Sequence, residues 1–179
     1  MSRRQILSPL ELYKLFLYWS LCENNTFMWF WTLTQWQLMD RCASVDPLGF
    51  HNFSVAQDSV KCVYDDSKAD KEGEKLSEKN LYANPFSLKE CWWTAMGLYC
   101  ALNCAQLSKS EKLFLAAGTK SGAAATRYQE QLMGMVHSKK DIVKNHIRLE
   151  KTNAYGLRKG SATSATSGTT APPPISSVA

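Results

Sequence analysis

The sequence lacks the residue patterns that most often mark a metal or catalytic centre. Its six cysteines contain no Cys-x-x-Cys pair and its three histidines are scattered, so a zinc site is not expected. It has no glycine-rich phosphate loop, no Ser/His/Asp constellation and no internal repeat. We therefore expect a protein that uses neither a metal nor a cofactor. The cysteines are Cys22, Cys42, Cys62, Cys91, Cys100 and Cys104.

Long apolar runs are also missing. The stretch "LELYKLFLYWSLC" is interrupted by Glu11 and Lys14, and "FMWFWTLTQWQLM" is too short to cross a bilayer and carries two glutamines. No signal peptide is recognisable at the start of the sequence. We expect an intracellular protein with reduced thiols and no membrane partner, which would be nuclear in a eukaryote.

Positive charge is concentrated in one part of the chain. The 179 residues are 45% hydrophobic, enough for one sizeable core, and the formal net charge is +5. Between residues 137 and 159 there are seven lysines and arginines against two acidic residues, so this segment holds the whole excess. Such a segment favours an anionic partner, with nucleic acid first, over the alternative of a solvated helix face. The seven are Lys139, Lys140, Lys144, Arg148, Lys151, Arg158 and Lys159.

Capping residues predict where the first helices begin. Ser8 with Glu11 forms a capping box and Pro9 suits the first helical position, so a helix should cover "SPLELYKLFLYWSL". An asparagine of "CENNT" should cap a second, aromatic-rich helix that runs to about Ala43. Both helices are apolar around most of their circumference, which predicts deep burial.

The middle of the chain changes period. "FHNFSV" and "SVKCVYDD" alternate in twos and predict two short strands, with "NLYAN" as a candidate third. The charged run between them, residues 65–79, predicts an exposed hairpin loop. The expected fold class is therefore mainly α with a small antiparallel sheet.

Three more helices are predicted in the second half. "SLKE" is a second capping box, from Ser87 to Glu90, ahead of the apolar stretch 91–107. "AAATRYQEQLMGMVHSKK" is amphipathic, with Leu132, Met135 and Val136 on its inner side, and "YGLRKGSATSATS" is a helix of small residues. We expect one domain over residues 1–166, followed by a low-complexity tail over 167–179.

Three basic residues stand at informative positions. Arg41 follows an aromatic helix and is either a cap for its last carbonyls or part of a site. Lys68 lies in the expected hairpin loop, where most lysines are only solvated. Arg158 lies among small residues that would let a large partner approach. None of the three is decisive by itself.

Taken together, three stretches resemble a known family. "WQLMDRCASVDPLGFHNFSV", "DDSKADKEGEKLSEKNLYANP" and "YGLRKGSATSATSGTTAPP" are similar, in order and spacing, to the catalytic domain of tyrosine recombinases of the phage-integrase superfamily, in particular to integrase-like domains of Crypton-type eukaryotic mobile elements. The resemblance covers residues 29–179 and is strongest in "ANP" and "LRKGSAT". It implies DNA recombination and integration by transesterification, with duplex DNA and other recombinase protomers as partners.

The resemblance also implies roles for particular residues. Arg41 and Arg158 fall at the two arginine positions, which neutralise the charge that builds on the phosphoryl oxygens, and Lys68 falls at the hairpin lysine that protonates the leaving oxygen. Tyr155 stands where the family has histidine, and a phenol with a pKa near ~10 is a poor proton shuttle at neutral pH.

The family's nucleophilic tyrosine is not found. Tyr155 is the last tyrosine in the sequence, and none of the 21 residues after Arg158 is Tyr, His or Trp. We expect a truncated, DNA-binding relative that is inactive by itself or acts with a complete protomer. The alternative is a non-enzymatic helical interaction domain whose basic segment is only a solvated face.

Overall fold

The computed structural model describes residues 7–64, 78–116, 124–143 and 154–166, with side chains omitted at 142–143, 154–156 and 164–166. Most of these residues are helical, and a small antiparallel sheet accompanies them, which confirms the expected fold class. The helices are α1 (Pro9–Cys22), α2 (Thr26–Leu38), α3 (Cys42–Val45), α4 (Trp92–Leu102), α5 (Cys104–Leu107), α6 (Ala124–Ser138), α7 (Lys140–Val143) and α8 (Ala154–Thr166).

The sheet has three strands in the order β1 (Phe53–Val55), β2 (Ser59–Cys62) and β3 (Lys79–Tyr82). Val55 pairs with Val60, and Val60 pairs with Leu81. All three predicted strands are present, including the candidate third. The expected hairpin loop lies almost entirely outside the described residues.

The start of α1 is built as the sequence predicts. The Ser8 backbone N–H donates to Glu11 Oε2 at 2.7 Å, and the Glu11 N–H donates to Ser8 Oγ at 3.3 Å. Hydrogen bonds donated to the Glu11 carboxylate by the backbone N–H and the hydroxyl of Ser8 lower the pKa of Glu11. The capping box and Pro9 together set the direction in which α1 leaves its first turn.

Helix α2 is the centre of the core. Eleven of its thirteen residues are buried, and α1, α4, α6 and α8 all contact it. Its buried hydroxyls have partners: Thr34 Oγ1 accepts from Trp92 Nε1 at 2.9 Å, and Thr32 Oγ1 lies 3.0 Å from the Tyr128 hydroxyl. A helix buried on every side tolerates such polar groups only when they are paired.

Two helix boundaries differ from the sequence prediction. Helix α2 ends at Leu38 and not near Ala43, because Met39 takes a left-handed conformation with φ of 53° and the chain is extended at Arg41 before α3 begins. The predicted helix over 91–107 is divided at Asn103 into α4 and α5.

The second capping box was also predicted wrongly. Ser87 makes no side-chain cap, residues 88–90 form a 3-10 turn, and α4 starts at Trp92 after Cys91. The reason lies just upstream, where Asn84 Oδ1 accepts from the backbone N–H groups of Phe86 and Ser87. This asparagine turn gives the chain an alternative to a capping box.

Candidate functional site

Arg41 lies at the junction between α2 and α3. Its backbone is extended, with φ of −79° and ψ of 153°, and its carbonyl accepts from Ser44 N–H at 2.9 Å in the first turn of α3. The side chain is exposed, and no side-chain hydrogen bond or ion pair links it to any other described residue. Arg41 therefore does not act as the cap of α2.

Lys79 at the start of β3 caps α2 instead. Its ammonium donates to the Leu38 carbonyl at 2.5 Å and to Asp40 Oδ2 at 2.6 Å. A cation at this place satisfies one of the last helix carbonyls and is favoured by the negative end of the helix dipole. No local pattern in the sequence marks this residue, because the contact depends on β3 packing beside α2.

Asp40 joins the sheet to the junction. The same Oδ2 atom accepts from the Tyr64 hydroxyl as well as from Lys79, whose ammonium lies 5.4 Å from the centre of the Tyr64 ring. Side-chain exposure is only 16% for Asp40 and 26% for Lys79, so this ion pair is partly shielded from water. We call Asp40, Tyr64 and Lys79 the junction clamp.

Burial keeps the Tyr64 hydroxyl and the neighbouring Cys62 thiol protonated. Desolvation, reinforced by the charge of Asp40, raises the pKa of Tyr64, so the phenol remains a hydrogen-bond donor. Burial also raises the pKa of the Cys62 thiol to about 12. In neutral solution these two groups therefore add no negative charge to that of Asp40.

Arg158 is carried by α8, whose Gly160 contacts Trp36 in the last turn of α2. Helix α8 packs on α1 and α2 through a face of buried residues that includes Leu157, Gly160 and Ser161. At Gly160 the approach is so close that an added Cβ would lie 2.6 Å from Pro9 Cβ and 3.4 Å from Trp36 Cζ3. Glycine is required here because any side chain would push the helices apart.

The two arginines are thus carried by segments that both border the last turn of α2. Arg158 lies two residues before Gly160, which contacts Trp36, and Arg41 follows Trp36 by five residues. Arg158 is half-buried, and within the described chain no hydrogen bond or ion pair engages its guanidinium. A partly desolvated guanidinium without an acid partner is ready to accept an anion.

The remaining predicted site residues have different outcomes. Lys68 lies outside the described residues, as do Lys144, Arg148 and Lys151, and Tyr155 belongs to α8 by its backbone only. Lys140 and Lys159 are exposed. Lys139 is paired with Glu23 and lies 5.4 Å from the centre of a Trp19 ring, so its charge is already compensated.

A polar cleft of about 290 Å³ opens at the N-terminal end of α2. It includes Arg127, whose guanidinium lies 4.0 Å above the Phe27 ring and donates from Nη1 to the Leu115 carbonyl at 3.0 Å. Burial lowers the pKa of Arg127, and its Nε–H has no acceptor among the described residues. These contacts give Arg127 a structural role in packing α6. The cleft lies at the opposite end of α2 from Arg41, about 20 Å away given the 1.5 Å rise per helical residue.

The chain matches no protein-family model, no curated protein and no solved structure. Among the described residues no group of three or more His, Cys, Asp or Glu side chains is arranged to hold a metal ion. None of the described helices has both the length and the apolar character needed to cross a membrane.

Proposed function

We propose that this chain is a DNA-binding domain of the tyrosine recombinase type, in which Arg41 and Arg158 bind one backbone phosphate. The observation that carries the proposal is the pair of guanidinium groups, both without a protein partner in the described part of the chain, on segments that both border the last turn of α2. Guanidinium groups bind phosphate oxygens in bidentate fashion, and two of them would offset the charge of one phosphodiester.

The architecture and the sequence resemblance support the same proposal. A mainly helical domain with a three-stranded antiparallel sheet is what the resemblance implies, and Arg41 and Arg158 are the two positions it assigns to phosphate recognition. The exposed Lys140 and Lys159 would add contacts to neighbouring phosphates. Lys139 would contribute less because Glu23 already holds its ammonium group.

The proposed activity is binding and not strand cleavage by these residues alone. No tyrosine follows Arg158 in the sequence, and Tyr155 occupies the position of the family's histidine. A complete protomer could supply a nucleophile in trans, and a covalent 3′-phosphotyrosine adduct formed only in such a mixture would show it.

Titration of fluorescent duplex DNA at about 50 and 200 mM salt tests the proposal. Each phosphate contact contributes about −0.9 to the slope of log affinity against log salt concentration, so wild-type binding should weaken steeply with salt. Arg41→Ala and Arg158→Ala should each lower affinity by about tenfold or more, as expected for a charge-assisted hydrogen bond, and each should reduce the slope by about one.

Lys109→Ala is the matched control. It removes one exposed positive charge two residues beyond α5, at a residue that the proposal does not use, and should change affinity by less than about threefold because an exposed charge acts only through a screened field. Absence of binding at low salt, or binding that does not depend on salt, would rule the proposal out.

The alternative function, a non-enzymatic interaction domain, is favoured by one surface. The aromatic side chains of α2 are buried, but α4 exposes Leu98 and Leu102, which lie four residues apart on one side of the helix and are 45% and 62% accessible. Exposed apolar faces are typical of protein contacts. The same DNA titration separates the two functions, since substitutions on this face should leave DNA affinity unchanged.

A further inference from the structure

One carboxylate oxygen ties three separate parts of the chain together. Asp40 Oδ2 accepts from the Tyr64 hydroxyl, beyond the end of β2, and from the Lys79 ammonium at 2.6 Å, in the first residue of β3. The Lys79 ammonium also donates to the carbonyl of Leu38, the last residue of α2, at 2.5 Å. Asp40 is the residue immediately before Arg41.

The backbone at this point decides where the Arg41 side chain points. In extended chain, successive side chains project to opposite sides. Arg41 is extended, Asp40 is held towards the sheet, and Arg41 is exposed. Holding Asp40 by two donors therefore fixes the backbone from which the exposed Arg41 side chain projects.

The clamp also explains why a negative charge is tolerated beside a phosphate-binding arginine. The ammonium of Lys79 offsets the charge of Asp40, and the phenol of Tyr64 satisfies the same oxygen, within a group that is mostly shielded from water. A partly buried ion pair is sensitive to loss of either partner because the remaining charge is left uncompensated.

We propose that Asp40 is a positioning residue for Arg41, and that Lys79 and Tyr64 act on DNA binding through it. This inference rests on the proposed function, since the consequence of positioning is phosphate affinity. In this proposal the clamp acts without touching DNA. Its effect reaches the ligand only through the direction and rigidity of the Arg41 backbone.

The test compares Lys79→Met with Lys61→Met. Lys61 on β2 is the matched control, because it is a lysine of the same sheet that pairs with an acid, Glu78 at 3.2 Å, at an exposed position. Both variants lose one positive charge. Lys79→Met should lower DNA affinity by about tenfold, close to Arg41→Ala, whereas Lys61→Met should cost about twofold from the screened charge alone. Lys79→Arg, which keeps a cation for Asp40, should stay within about threefold of wild type.

A double-mutant cycle identifies the route of the effect. If Lys79 acts through Arg41, Arg41→Ala should cost less than about threefold in the Lys79→Met background, compared with about tenfold in the wild-type protein. Effects of the two substitutions that simply multiply, or a Lys79→Met variant that binds like Lys61→Met, would overturn the inference.

A second measurement does not depend on DNA. Amide hydrogen exchange at Ser44 and Val45, whose N–H groups donate to the Arg41 carbonyl, should become faster in Lys79→Met and remain unchanged in Lys61→Met. Faster exchange with no wild-type DNA binding would refute the proposed function while supporting the clamp; unchanged exchange would refute the clamp. If Lys79→Met does not fold, Tyr64→Phe replaces it, because this change removes one donor to Asp40 and keeps the ion pair. Tyr64→Phe should lower DNA affinity by about threefold, and this loss should be smaller in the Arg41→Ala background.

Discussion

Gly160→Ala should destabilise the protein, although alanine normally stabilises a helix. At an unobstructed helical position the change from glycine to alanine is worth about 0.5–1 kcal/mol in favour of folding. In α8 the added Cβ would stand 2.6 Å from Pro9 Cβ. Pro9 is held in the first turn of α1, and the neighbouring ring of Trp36, at 3.4 Å, leaves no room on the other side.

The size of the effect follows from the shortfall in distance. Carbon atoms in contact prefer about 3.5–4.0 Å, so α8 and α1 would have to separate by about 1 Å. Overpacking of this kind costs about 1–3 kcal/mol. Because α8 also carries Arg158, the same displacement should weaken DNA binding in the proposed function.

Gly134→Ala in α6 is the control. A Cβ built at Gly134 meets nothing within 4 Å, so this variant should show only the helix-propensity gain of about 0.5–1 kcal/mol. Urea unfolding followed by tryptophan fluorescence gives both free energies of unfolding. The reasoning would be refuted if the two variants shifted stability in the same direction by similar amounts.

Two further predictions concern buried polar groups. Thr32→Val should lower the free energy of unfolding by about 1–3 kcal/mol because the Tyr128 hydroxyl loses its partner at 3.0 Å. The double variant Thr32→Val, Tyr128→Phe should be about as stable as Tyr128→Phe alone. Losses that add in urea unfolding would contradict this. Burial raises the pKa of the Cys42 thiol from its ordinary value of 9.0 to about 11. The unfolded chain therefore loses this proton at a lower pH than the folded chain does. The free energy of unfolding should fall as pH rises from 9 towards 11, by up to about 1.4 kcal/mol per pH unit. Under reducing conditions Cys42→Ala should flatten that decline, and exposed Cys104→Ala should not.

Local chemistry was sufficient for several elements. The capping box of Ser8 and Glu11 with Pro9 predicted the first helix, and the apolar spacing of Leu132, Met135 and Val136 predicted the buried face of α6. The period-two pattern predicted β1 and β2, and "NLYAN" was the candidate for β3. For the two helices the interactions that decide the structure lie within a few residues of one another, so the sequence contains them directly.

The errors fall where a distant or competing contact outweighs the local pattern. The aromatic helix looks continuous to Ala43, but Lys79, 41 residues after Leu38, binds its final carbonyl and the chain turns at Met39. The "SLKE" pattern predicts a capping box, but the Ser87 backbone N–H donates to Asn84 Oδ1 instead. Neither residue carries a signal that marks it as the decisive one.

The candidate site divides in the same way. By themselves the residues of this sequence determined which groups could bind an anion, because the charge of Arg41 and Arg158 and the absence of metal or nucleophile patterns are properties of composition and order. Only the tertiary structure decided that both arginine-bearing segments border the last turn of α2 and that Asp40, Tyr64 and Lys79 hold the junction. The physical reason is that pairing and desolvation depend on atoms brought within a few ångströms, and here those atoms come from parts of the chain far apart in sequence.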